Sequence, residues 1–119
     1  MREGDRRAAR MSLDDEMRPF RIAGRKKNQT TGLLRAVRQA LSIPVGEIAG
    51  KMEVDRSRVF DLEAGEVRHT ITLRSMARQA EAMGCMVVYG IVPKGGKTLD
   101  RLAEERLWTR VLGNVGKRE

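Results

Sequence analysis

Aromatic side chains are scarce in this 119-residue chain: Phe20, Phe60, Tyr89 and Trp108 are all there are. A core without aromatic bulk has to be assembled from Leu, Val, Ile, Met and Ala. That suits a small helical domain completed by a second copy of itself. The only cysteine, Cys85, excludes an internal disulfide and a cysteine-cluster zinc site. It stands between Gly84 and an apolar run, so a small buried side chain is expected there. The only histidine, His69, leaves no pair to hold a metal, and it reads as a surface or loop residue. No apolar run reaches membrane-spanning length. The first residues, Met-Arg-Glu-Gly-Asp-Arg-Arg, lack the apolar stretch of a signal peptide. The expectation is a cytoplasmic protein without metal or cofactor, and not an enzyme.

Positive charge is in excess. Lys and Arg number 24 against 16 Asp and Glu, a formal net charge of +8. Such a balance favours a polyanionic partner, DNA or RNA, over an anionic membrane surface. Residues 1–30 hold nine Lys/Arg against five Asp/Glu, residues 31–92 eight against seven, and residues 93–119 seven against four. The excess lies in the two tails, which are either solvated or track phosphates as arms.

The chain divides into a basic N-terminal arm (1–28), a helical DNA-binding domain (29–83), a dimerisation strand (84–93), and a hinge with a C-terminal helix (94–119). In the arm, Ala8, Ala9, Met11, Leu13 and Met17 allow a weak helix between Gly4 and Pro19. Arg21 to Asn28 then form a mobile basic connector. A helix follows from about Thr31 to Leu41, capped by Thr30 or Thr31, with Leu34, Val37 and Leu41 as its stripe. After Gly65 a polar loop leads to a helix capped by Thr72 and stopped by Gly84. Its buried stripe is Leu73, Met76, Ala77, Ala80 and Met83. The segment Met86, Val87, Val88, Tyr89, Gly90, Ile91, Val92 is rich in β-branched residues and ends at Pro93, so it reads as a strand. With no second strand in the chain, its backbone groups find partners most simply in the same strand of a second molecule across a two-fold axis. Lys94-Gly-Gly-Lys97 is a hinge without phosphate-loop spacing. A last helix, about Thr98 to Leu112, carries Leu99, Leu102, Ala103, Leu107 and Val111, with Trp108 beside that stripe expected to pack on the dimer or to serve as an exposed anchor for another protein.

The stretch Ile43–Glu66 holds two short helix signatures with too few residues between them for an ordinary loop. Val45, Ile48, Ala49 and Met52 share one face. Asp55 is a good N-cap for the next helix, which buries Val59 and Leu62. Pro44 suits the start of the first helix, and Glu47 complements its dipole. Helices this close cross steeply, which is helix-turn-helix geometry. Arg56, Ser57, Phe60 and Asp61 then face a DNA major groove, with Arg58 nearer its edge. Arg can hold guanine O6 and N7, Ser57 a base or phosphate, and Phe60 a thymine methyl, while Asp61 either accepts from cytosine N4 or orients Arg58 or another neighbouring Arg. Arg58, Arg35, Lys51 and Arg68 are the expected phosphate contacts.

From Leu33 to Met83 the chain resembles the XRE/Cro helix-turn-helix family, whose fold is that of the lambda repressor. The resemblance rests on Leu34, Leu41, Ile48-Ala49, Val54, Val59, Leu62-Glu63 and Gly65. It implies base reading by Arg56, Ser57 and Asp61 and a structural ion pair between Arg38 and Glu63. The chain departs from the family at Val45, where Gln often contacts phosphate, and at Glu53, where Gly often makes the turn. The stretch Ile71–Pro93 resembles the mobile mystery protein A family more narrowly, and its helix-then-strand ending is similar to that of HipB-like antitoxins. These resemblances imply a transcriptional repressor acting as a homodimer on double-stranded DNA. They also imply an alternative, an antitoxin that binds and neutralises a Fic-domain toxin protein.

Overall fold

The computed structural model describes residues 1–24 and 32–116. They are mainly helical, in the order α1 (Glu3–Glu16), α2 (Arg18–Gly24), α3 (Leu33–Ala40), α4 (Val45–Met52), α5 (Arg56–Val67), α6 (Leu73–Ala82), a 3-10 turn at Lys94–Gly96, and α7 (Leu99–Gly116). The chain forms two compact units. Thr30–Val88 is the central unit; Met1–Gln29 and Tyr89–Glu119 together make the terminal unit.

The core of the central unit is aliphatic. Leu34 of α3, Ile48, Ala49 and Met52 of α4, and Val59 and Leu62 of α5 meet Ala82 and Met83 at the end of α6. Ile48 and Val59 have no exposed surface, and burial of a side chain of that size contributes about 1.5–3 kcal/mol. Val37, Ile43, Val45, Val54, Ile71 and Met76 close the cluster as half-buried neighbours.

Between α4 and α5 stand only Glu53, Val54 and Asp55. The chain reverses here because Glu53 adopts the left-handed conformation, φ 57° and ψ 46°. The Val54 N–H then donates to the Ala49 carbonyl at 3.0 Å, closing the last turn of α4. Asp55 takes the N-cap position in extended conformation, but its side chain caps nothing; its carbonyl accepts from the Arg58 N–H at 3.0 Å. Pro44 stands at the cap position just ahead of α4.

Several boundaries differ from the sequence reading. The helix α5 runs two residues past Gly65, where a polar loop was expected, and so turns Glu66 inward. The Glu66 carboxylate accepts the Leu33 and Leu34 N–H groups, each at 2.8 Å. This carboxylate from another helix caps α3, whose own cap position holds Gly32 with φ 74°. Thr30 and Thr31, the caps expected from sequence, lie outside the described residues. In α6, the Thr72 hydroxyl accepts the Ser75 N–H at 3.1 Å, and Gly84 with φ 75° ends the helix. Of the expected α6 stripe, Ala80 and Met83 are buried and Met76 is half-buried, but the covered face extends differently from the one expected. Gln79, Ala80 and Ala82 are buried, whereas Leu73 and Ala77 are exposed. Cys85 is exposed rather than buried. The left-handed turn at Gly84 ends the helix just ahead of Cys85, and an apolar sequence neighbourhood there does not mean burial.

Among the described residues there is no β-strand. Residues 85–93 run outside any helix, with Met86, Val88, Tyr89 and Ile91 exposed and Val87 and Val92 half-buried. A strand needs a partner for its N–H and C=O groups, and no second strand stands among the described residues.

In the terminal unit α1 packs against α7, so the N-terminal arm and the C-terminal helix, read apart in the sequence, fold together. Asp14 of α1 accepts the Leu99 N–H at 2.8 Å and the Asp100 N–H at 3.4 Å, capping α7 from outside. Arg10 pairs with Asp100 and Glu3, each at 3.0 Å. These hydrogen bonds, that to Glu3 foremost, raise the Arg10 pKa above its ordinary value. Arg21 donates to the Asp14 carbonyl and faces its carboxylate at 3.8 Å. Pro19 does not end the helical region. It is the second residue of α2, where a missing N–H is tolerated. Arg21–Gly24, expected as connector, are the end of α2; residues 25–28 lie outside the described residues. Gly95 and Gly96, with φ 80° and 76°, bend the chain at the 3-10 turn. Trp108 is 63% exposed and Leu107 58%, so neither packs within the chain.

Candidate nucleic-acid interface

Successive residues of a helix are turned by about 100°. With Val59, Leu62, Glu63 and Glu66 buried, the outward ridge of α5 is Ser57 and Asp61. Arg56 and Phe60 lie on one flank of that ridge and Arg58 on the other. All five residues are exposed. Asp55 leaves the first N–H groups of α5 without a side-chain acceptor, so the positive end of the helix dipole is also uncovered.

Two of the five are held in specific places. The Phe60 ring lies under the Arg38 guanidinium, 6.0 Å from carbon to ring centre. It also lines a groove of about 280 Å3 between α3 and α5, together with Arg35, Gln39 and Val67. The Arg56 guanidinium lies over the first turn of α4 at Gly46. A Cβ placed on Gly46 would stand 2.9 Å from one terminal nitrogen of Arg56, 3.1 Å from Nε and 3.2 Å from Cζ. Arg56 joins no ion pair among the described residues.

Behind the ridge stands a buried polar cluster. Arg38 donates to Glu63 twice, from Nε at 2.7 Å and from Nη2 at 3.1 Å, and the Gln79 amide donates to the same carboxylate at 3.4 Å. The hydrogen bonds to Glu63 raise the Arg38 pKa above its ordinary value, against the effect of burial. Oε1 of the wholly buried Gln79 has no hydrogen-bond partner among the described residues. The cluster joins α3, α5 and α6 and is structural in character: both charged partners are mostly out of solvent.

The expected phosphate-binding residues are not gathered in one place. Arg35 shares the groove with Phe60. Lys51 is exposed at the last turn of α4 and lines a different cleft with Arg78 and Glu81. Arg68 caps the far end of α5, 12 residues from Arg56, or about 18 Å along the helix at 1.5 Å per residue.

Comparison of the chain with protein-family models, with curated proteins and with solved structures finds no match to any of them.

Three residues that shape this site escape a reading of the sequence. Glu66 and Gln79 look like surface residues, because polar types are expected outside. Gly46 looks like an ordinary weak spot in a helix. Only the spacing Glu63–Glu66, which puts two carboxylates on the face of Val59 and Leu62, hints that both turn inward. No group of His, Cys, Asp and Glu suited to a metal ion occurs among the described residues. No helix among them is long and apolar enough to cross a membrane.

Proposed function

We propose that this protein is a sequence-specific DNA-binding regulator, a repressor that acts as a homodimer on a palindromic operator. The observation that carries this reading is α5: a short helix, set close behind α4 by the Glu53 turn, that exposes Arg56, Ser57, Arg58, Phe60 and Asp61 on one side. The net charge of +8 supports a polyanionic partner, and the resemblance to the XRE/Cro family agrees with it. In this reading Arg56, Ser57 and Asp61 address base edges, with Phe60 beside them. Arg58 and Arg35 hold phosphates near the ridge, while Lys51 and Arg68 reach the backbone from its margins. Two copies reading one operator require half-sites about one helical turn, 34–36 Å, apart. The exposed Met86, Val88, Tyr89 and Ile91, with Val87 and Val92, would pair with the same segment of the second copy.

Selection of bound sequences from random duplex DNA with the purified full chain tests this reading. The expected result is enrichment of a palindrome, and affinity that falls with salt at a log–log slope of about −0.9 per phosphate contacted. Arg56→Ala should lose about 1–3 kcal/mol at the selected site and relax one base preference. A flat selection overturns the reading.

A second reading, the antitoxin, is favoured by Leu107, Trp108 and Leu112, all more than half exposed on α7. Large apolar side chains exposed together mark protein contacts. Here the partner is a Fic-domain protein, as the resemblance to the mobile mystery protein A family implies. Trp108→Ala should then release that protein while leaving DNA binding intact. Equal capture of it by wild type and variant counts against the surface.

A further inference from the structure

The seat of Arg56 on Gly46 turns an inconspicuous glycine into part of the recognition surface. Gly46 lies in the first turn of α4, with ordinary helical backbone, so nothing in its conformation requires glycine. What requires it is space: the nearest neighbours of a Cβ there are the terminal nitrogen, Nε and Cζ of Arg56, at 2.9 to 3.2 Å. Those atoms form the end of a long, exposed side chain, which can move aside at little cost to the fold. A methyl group at 46 therefore leaves the helices in place and displaces the guanidinium. Gly50, one turn later in the same helix, has nothing within 4 Å of its Cβ direction and offers a matched comparison.

We infer that Gly46 is a specificity-determining residue: it seats the Arg56 guanidinium on α4 and so fixes the direction from which Arg56 meets DNA. The inference rests on the DNA-binding reading and deepens it. A long arginine loses side-chain freedom when it must hold one geometry, and a preformed seat means less is lost on binding. The bidentate approach to a base edge depends on the orientation of the guanidinium plane, so moving its support changes which base is preferred and not merely the attraction to phosphate. Gly46 acts here by positioning Arg56; it need not touch DNA.

Four variants separate this role from a structural one: Gly46→Ala, Gly50→Ala, Arg56→Ala, and Gly46→Ala combined with Arg56→Ala. Alanine is the better helix former, so both single glycine variants should melt at or above the wild-type temperature. At the site selected by wild type, Gly46→Ala should bind about 5- to 150-fold more weakly, the worth of a displaced bidentate contact. Gly50→Ala should bind as wild type does. Once Arg56 is alanine, adding Gly46→Ala should change nothing further. In the free protein, the Arg56 Nε–H resonance should move in Gly46→Ala and stay in Gly50→Ala. Unchanged affinity and base preference in Gly46→Ala overturn the inference, as does the same loss with and without Arg56. An unmoved Nε–H resonance overturns the seat itself, whatever DNA does. A wild type that selects no sequence sinks the DNA-binding reading and the specificity role together, while the resonance still reports on the seat.

Discussion

Glu63 serves three helices with one carboxylate. It receives two hydrogen bonds from Arg38 of α3 and one from Gln79 of α6 while standing on α5. The side chains of Arg38 and Glu63 are 11% and 5% exposed, so both have given up most of their water. Glu63→Gln should therefore lower the free energy of urea unfolding by about 1.5–3 kcal/mol, because a largely covered guanidinium loses its counter-charge. The exposed Arg35→Ala should stay within about 0.5 kcal/mol of wild type. Equal effects from the two substitutions would show that the cluster is fully hydrated. Arg38 also lies over Phe60, so Glu63→Gln is expected to disturb the Phe60 ring, which a chemical-shift change of its protons would report.

At the scale of elements, ends and turns carry much of the specification. Glu53 holds a left-handed backbone, a conformation that costs a residue with a Cβ about 1–2 kcal/mol. Glu53→Gly should stabilise the protein by about 0.5–1 kcal/mol in urea unfolding, since glycine relieves the strain but loses more freedom on folding. A destabilised variant would mean that the Glu53 side chain makes a contact worth more than the strain. Just ahead of α7, Lys97 donates to Glu105 of that helix at 2.6 Å, and this hydrogen bond, with Arg101 also near, holds the Glu105 carboxyl below its usual pKa. A depressed folded pKa gives stability that is present above the unfolded carboxyl pKa. It is lost as pH falls through the lower, folded one. Titration of the Glu105 side-chain carboxyl by NMR should show that depression in wild type, and Lys97→Met should bring the midpoint back up. An identical midpoint in the variant would place the cause elsewhere.

For the whole molecule, the balance of charge and apolar surface matters most. Inside the terminal unit Arg10, Arg21, Lys97 and Arg101 face Glu3, Asp14, Asp100 and Glu105, which leaves the net positive excess of the two ends on their other cations. The long-range field on a polyanion thus comes from the remaining cations, and it is screened over about 10 Å at 0.1 M salt. Met86 and Ile91 are 79% and 80% exposed, a large apolar surface for a single chain to leave in water. With pairing of this segment across two copies, light scattering should give about twice the 13.4 kDa chain mass. Met86→Glu with Val88→Glu should give the single-chain mass with unchanged helical circular dichroism. A wild type that runs as a single chain at assay concentrations would remove the dimer from the proposal.

Sequence by itself determined most of the helices, though not α2, and much of the central core. Ile48, Ala49, Met52, Val59 and Leu62 stand at spacings of three and four within short segments, and that period is a local property each helix carries alone. The turn at Glu53 was marked by the resemblance to the XRE/Cro family, in which Gly often stands there, the residue that takes a left-handed backbone most readily. Tertiary structure alone decided which flank of α6 is covered. Gln79 is buried and Leu73 exposed because the crossing of α6 on its neighbours, not the apolar count along it, sets its inward face. Glu66 and Asp14 cap helices far from them in sequence, 32 or more residues away, and no local pattern records such pairings. The seat of Arg56 on Gly46 is of the same kind: an absent Cβ has meaning only once another helix brings a side chain to the space it leaves.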